Sequence, residues 1–99
     1  MLDFDYQQLD DIIHSRIRLA IMALLVSVES APFVYIRDKI NASDGNLSVH
    51  IRKLEEVNYV SFTKEFVDRK PVTTFSITDL GRTAFEAYVD RLSILLNQE

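Results

Sequence analysis

Asn46, Ser48, Val49, Arg52 and Lys53 are spaced so that a helix sets them on the side opposite an apolar stripe. Their chemistry is hydrogen bonding and charge pairing rather than bond breaking. Asn and Ser can bond base edges or phosphate oxygens, and Arg and Lys can reach O6 and N7 of guanine or the backbone. Gly45, beside them, permits close approach. A second basic group, Lys64, Arg69 and Lys70, falls in a segment of different periodicity and suits phosphate contact. His50 lies toward the edge of the apolar stripe and fits a packing role as well as a phosphate contact. Catalysis finds little to work with. The chain has two histidines, no cysteine, no glycine-rich phosphate loop and no paired acids in an apolar setting. Ser48 and His50, two apart on a helix, point in different directions. The expectation is a chain without catalytic residues, metal or cofactor.

These side chains need elements to hold them. Leu47, Ile51, Leu54 and Val57 recur at i, i+4, i+7 and i+10 behind Ser43 as N-cap, with Asp44 in the first turn, which predicts a helix over about 43–58. A shorter helix over 35–40, with Ile36 and Ile40 on one face, precedes it across a tight turn at Asn41 and Ala42. Upstream, Ile17, Ala20, Ile21, Leu24, Leu25 and Val28 make a stripe. Leu19, Met22 and Val26 fall off that stripe, so this helix is covered on most sides and is central to the core. Glu29, Ser30, Ala31 and Pro32 end this helix, since proline disfavours helix in the residue before it, and Phe33 and Val34 read as a brief extended piece. Leu9, Ile12 and Ile13 predict a short helix over 6–13 before a break at His14 and Ser15.

Beyond Asn58 the period changes. Val60, Phe62 and Phe66 alternate with Ser61, Thr63 and Glu65, and Thr73, Phe75 and Ile77 alternate in turn. Two strands over 59–67 and 72–78 are therefore joined at Asp68, Arg69, Lys70 and Pro71 in a hairpin with a charged tip. Thr78 caps a last helix over 79–96 whose apolar residues cover more than one face, as a subunit interface requires. Phe62, Phe66, Phe75, Phe85 and Tyr88 read as core and interface rather than as a ligand pocket. The fold class is α+β, mostly helical with a two- to three-stranded β piece.

The stretch from Ser43 through Leu47, Ser48, His50, Leu54, Glu55 and Asn58 to Tyr59 and Val60 resembles the recognition helix of MarR-like and ArsR-like winged-helix-turn-helix regulators, with their LSxHLxKLExxGYV pattern. It departs at Ile51 for Leu and at Asn58 for Gly. Asn is the next-best residue for a left-handed helix end, so the backbone need is kept. The resemblance extends from about residue 12 to 89, including the segments 14–25, 69–78 and 81–85. It implies a winged helix, a homodimer formed through terminal helices, recognition helices in successive major grooves of double-stranded DNA and wings beside the minor grooves.

With 99 residues the chain holds one domain, 1–99, with segments of about 5–13 and 79–96 expected to form the dimer interface. The absence of cysteine, of a signal sequence after Met1 and of any apolar run beyond eight residues points to the cytoplasm and to no membrane. A net charge of -4 is unusual for a nucleic-acid binder. Locally the balance differs: Arg52, Lys53, Lys64, Arg69 and Lys70 gather on the helix of 43–58 and the wing of 64–72, while Asp3, Asp5, Asp10 and Asp11 cluster elsewhere. Glu55, Glu56, Glu65 and Asp68 dilute the site, so binding should be modest and salt-sensitive. The rival expectation is a winged-helix protein-interaction module without DNA binding, which the acidic balance favours. No segment dedicated to sensing a small-molecule effector stands out.

Overall fold

The computed structural model describes residues 4–97, so Asp3 of the acidic cluster and the first two residues lie outside them. In order the elements are a 3-10 turn Tyr6–Gln8, α1 (Arg16–Val28), β1 (Ser30–Pro32), α2 (Phe33–Ile40), α3 (Asp44–Glu56), β2 (Val60–Val67), β3 (Lys70–Ile77) and α4 (Asp79–Leu96). The three strands form one antiparallel sheet in the order β1-β3-β2. Its register pairs Ser30 with Ser76, Val60 with Ile77 and Val67 with Lys70. This is a winged helix of the α+β class.

Three of the four described helices begin where a side chain satisfies free backbone donors, and α2 begins after Pro32 without such a cap. Ser15, Ser43 and Thr78 accept from the N–H groups of Arg18, Asn46 and Gly81 at the starts of α1, α3 and α4. The core is where the faces behind those caps meet. Ile21, Met22 and Leu25 of α1, Ile36 of α2 and Leu47, Ile51 and Leu54 of α3 are buried together, closed by Val60, Phe75 and Tyr88. A stripe of three on α3 buries one side of that helix and frees the other, which is the condition for it to meet a partner.

The N-terminal segment differs from the helix expected over 6–13. Asp5 Oδ1 accepts from Gln7 N–H at 2.9 Å, and Asp10 Oδ1 accepts from the N–H groups of Ile12 and Ile13 at 2.8 and 3.1 Å. These local bonds take donors that a helix would use, so the chain turns instead. The extended piece also sits earlier than Phe33 and Val34. It is Ser30–Pro32, and α2 starts at Phe33 because Pro32, in extended geometry, can precede a helix but not donate within one. The hairpin turn is tighter than the four residues 68–71. Only Asp68 and Arg69 form it, both with positive φ (50° and 67°), and Lys70 and Pro71 already belong to β3. Positive φ at both positions matches the twist of the strands, at about 1 kcal/mol or more for each residue with a side chain.

The same Asp10 ties the N-terminal turn to the sheet: its Oδ2 accepts from the Tyr59 hydroxyl at 2.6 Å. Burial, then the hydrogen bond and charge of Asp10, push the Tyr59 hydroxyl up to about 12. A phenol whose folded value lies above its unfolded one contributes stability that is complete below about pH 10 and disappears as the pH rises through about 12. We expect roughly 2 kcal/mol to be lost over that window, after allowing for the ring's partial contact with water. Urea unfolding at pH 9 and pH 12 measures it, and Tyr59→Phe should flatten the difference.

The Cα radius of gyration is 15.0 Å and the extents are 58 × 25 × 21 Å, against about 13 Å for a compact chain of this length. The elongation comes from the hairpin and from the far end of α4, where every residue of β2 after Val60 is exposed and Leu96 is 72% exposed.

Candidate nucleic-acid interface

Opposite the buried stripe of α3, the side chains of Asn46, Ser48, Val49, Arg52 and Lys53 are all exposed. The structure brings this face together with the hairpin. Ser48 and Arg52 of α3 and Lys64 of β2 line one open groove of about 640 Å³, floored by Phe33, Phe62 and Phe75. The Phe75 ring lies 6.4 Å from Phe33 and 6.2 Å from Phe62, and Lys64 Nζ rests 5.9 Å from the centre of the Phe62 ring. Rings tilted by 51° and 49° in this way pack the base of the wing, and Lys64 rests against one of them. Arg69 and Lys70 are exposed at the far end of the hairpin, where the two-residue turn makes the tip narrow.

His50 is placed differently from the other candidates. It is half buried, and its Nδ1 accepts from Arg18 Nη1 of α1 at 2.8 Å. Arg18 Nε in turn donates to the Ile12 carbonyl, so one guanidinium joins the N-terminal turn, α1 and α3. Burial, then the nearby charges of Arg18 and Lys53, hold the His50 imidazolium below its ordinary value. Glu55 beside the groove is raised, by burial first.

Two further residues contribute that sequence reasoning did not single out. Arg37 of α2 bonds Asp44 at 2.9 Å and Asp38 at 3.0 Å, which keeps its guanidinium charged and neutralises the carboxylate at the start of α3. The i, i+7 spacing across the turn was the available signal. Arg16 opens α1 beside the α2–α3 turn, in a segment whose apolar stripe carries no mark of it. The aromatic residues also divide. Phe75 and Tyr88 are in the core and Phe85 is packed against it, whereas Phe62 and Phe66 are 47% and 79% exposed because the hairpin runs out past the helices that would cover them. Among the described residues no group of three or more His, Cys, Asp or Glu is placed to hold a metal, and no helix is long and apolar enough to cross a membrane.

Comparison with known proteins agrees with this architecture. Residues 17–96 match the family described as winged helix DNA-binding domain. An uncharacterized protein of Methanocaldococcus jannaschii is 40% identical over 78 residues, which are 79% of this chain and 85% of that one. The transcriptional regulator homologue from Pyrococcus horikoshii superposes with a TM-score of 0.78 at 33% identity, covering 92% of this chain and 95% of that one. BpsR of Bordetella bronchiseptica, whose DNA binding is regulated by 6-hydroxynicotinic acid, shares the fold with a TM-score of 0.74 at 15% identity, over 92% of this chain and 68% of its own. A zinc-responsive MarR family member, ZitR of Lactococcus lactis, shares it at 17% identity with a TM-score of 0.61, over 83% and 55%. With α3 capped, exposed and set beside the hairpin that carries Lys64, Arg69 and Lys70, and with the family match spanning most of its length, the chain belongs to the winged helix DNA-binding domain family.

Proposed function

We propose that this chain is a homodimeric transcriptional regulator of the cytoplasm that reads double-stranded DNA sequence-specifically. In this reading α3 enters the major groove and the hairpin of 64–72 lies along the backbone and minor groove. The observation that carries it is the shared groove: Arg52 on α3 and Lys64 on β2 face one cleft, so a duplex resting on α3 also meets the hairpin. Asn46 and Ser48, at the N-terminal end of α3, stand where a recognition helix meets base edges, and Val49 is placed for a thymine methyl. Lys53, Lys64, Arg69 and Lys70 supply phosphate contacts.

Anisotropy titration against a randomised duplex library, with selection for bound sequences, tests the reading. Enrichment of a pseudo-palindrome with half-sites about one helical turn apart is the expected result. Absence of binding even at low salt would sink it. Arg52→Ala should weaken binding to the selected site by about 1 to 3 kcal/mol and relax the preference at one base pair. An unchanged affinity removes Arg52 from the base-reading set.

Support for the dimer comes from α4, where Leu80, Val89 and Leu96 are 54%, 45% and 72% exposed. Apolar surface exposed along the last helix of a small domain favours burial by a second copy. Truncation after Val89 should convert the dimer seen by sedimentation into monomer or aggregate, and a well-behaved dimer after that cut places the interface elsewhere. A second reading, a protein-interaction module, draws on the exposed Phe62 and Phe66 of the wing. It predicts that Phe66→Ser abolishes partner capture, while DNA binding is absent from the start.

A further inference from the structure

A second cleft, of about 620 Å³, lies on the other side of α3, between the start of α1 and the α2–α3 turn. Its polar side chains are Ser15, Arg16, Asn41, Ser43, Asn46 and His50, and among the described residues no carboxylate lines it. In a chain of net charge -4 this is a local reversal of sign. Arg18, from the same helix as Arg16, reaches His50 Nδ1 at 2.8 Å. A guanidinium has only donors to offer, so Nδ1 is the bare acceptor, the ring is neutral and its proton sits on Nε2.

The charged groups acting on that ring are Arg18 from α1 and Lys53 from its own helix, while Arg16 lines the same cleft and the turn supplies the neutral Asn41 and Ser43. Burial first, then the charges of Arg18 and Lys53, disfavour a second proton on the imidazole. An anion in the cleft inverts this balance: it gives the cations a partner and makes a charged imidazole favourable.

We propose that this cleft seats a phosphate group of the DNA backbone and that His50 joins the seat in its protonated form, so the chain takes up a proton when it binds. The proposal rests on the DNA-binding reading above. One proton moves from solvent to Nδ1, Arg18 Nη1 passes from the ring to a phosphate oxygen, and no covalent bond changes between heavy atoms. Asn46 then belongs to both surfaces, since it ends the base-reading face of α3 and also lines this cleft. The coupling makes affinity rise as the pH falls, through a window that opens at the titration of the phosphate-bound imidazole and closes, at lower pH, where the free ring titrates.

The test is anisotropy of a duplex with the full chain at fixed salt between pH 7.5 and 5.5, together with calorimetry in two buffers of different ionisation enthalpy. The wild type should bind roughly three- to tenfold tighter for each seat at the lower pH and take up protons at pH 7. His14→Gln, whose ring bonds Tyr88 and does not line the cleft, should keep this behaviour. His50→Gln, which retains an acceptor for Arg18, should lose it, with His50→Asn as the second variant if the first unfolds. An identical pH profile in wild type and His50→Gln overturns the inference while leaving DNA binding intact. Failure to bind DNA at any pH overturns both. Inorganic phosphate, titrated while the His50 ring protons are followed by NMR, separates the sources: if it moves them and DNA affinity ignores pH, the seat is for free phosphate and the DNA assignment is wrong.

Discussion

Gly81→Ala is expected to destabilise the fold by about 3 kcal/mol or more, visible as a fall in Tm of at least roughly 12 °C in a chain of this size. A Cβ at this position would lie 2.1 Å from the carbonyl oxygen of Tyr59 and 2.9 Å from its carbonyl carbon. Neither side of the contact is free to yield. The Tyr59 carbonyl accepts from Thr78 N–H at 3.1 Å and Thr78 Oγ1 at 3.2 Å, and Thr78 also caps α4 through Gly81 N–H at 2.9 Å. The single Thr78 hydroxyl proton is shared between the Tyr59 carbonyl and the nearer Asn58 carbonyl at 2.6 Å. The whole helix must therefore move away from the strand start, which opens the core around Tyr88. Alanine's advantage over glycine inside a helix, about 1 kcal/mol, offsets only part of this. Gly45→Ala is the matching control, since nothing lies within 4 Å of its would-be Cβ. It should be neutral or stabilising by up to about 1 kcal/mol. If Gly81→Ala melts within roughly 3 °C of the wild type, α4 does not approach Tyr59 this closely.

The second large effect is on DNA affinity. In the proposed homodimer each chain carries five basic side chains on α3 and the hairpin, namely Arg52, Lys53, Lys64, Arg69 and Lys70, all exposed. If six or more of a dimer's ten meet phosphates, counterion release gives a slope of log K against log salt of about -5 or steeper. Affinity should then fall by about 10³-fold between roughly 50 and 200 mM salt. Exposed side chains hold phosphates by charge alone, so little remains once the ions are screened. Titrations across that salt range give the slope. Lys70→Ala should make it shallower by about one for each phosphate that the lysine neutralises, with sequence preference unchanged. A slope shallower than about -2 means that the hairpin does not touch the backbone and that the mixed charge of Glu65 and Asp68 dominates its tip.

Much of the fold was legible along the chain. The caps Ser15, Ser43 and Thr78, the stripe Leu47, Ile51 and Leu54, and the alternation around Phe62 and Phe75 each report on neighbours a few residues away, where sequence and structure are the same thing. Asn58 is of the same kind: the helix end needs a left-handed residue, and its φ of 63° meets that need without glycine. The N-terminal turn was not legible, because the Asp5 and Asp10 side chains compete with a helical pattern that Leu9, Ile12 and Ile13 truly possess.

The candidate surface divides along the same line. Local periodicity alone determined which face of α3 is free and that a charged hairpin follows it. Only the tertiary structure decided that Arg52 and Lys64 share a groove, that Arg18 turns His50 inward and that Phe66 is left in solvent. Those facts depend on how far a hairpin reaches past a helix and on which side chain of α1 faces α3. They are set by packing between segments distant in sequence, and no periodicity within a single segment encodes them.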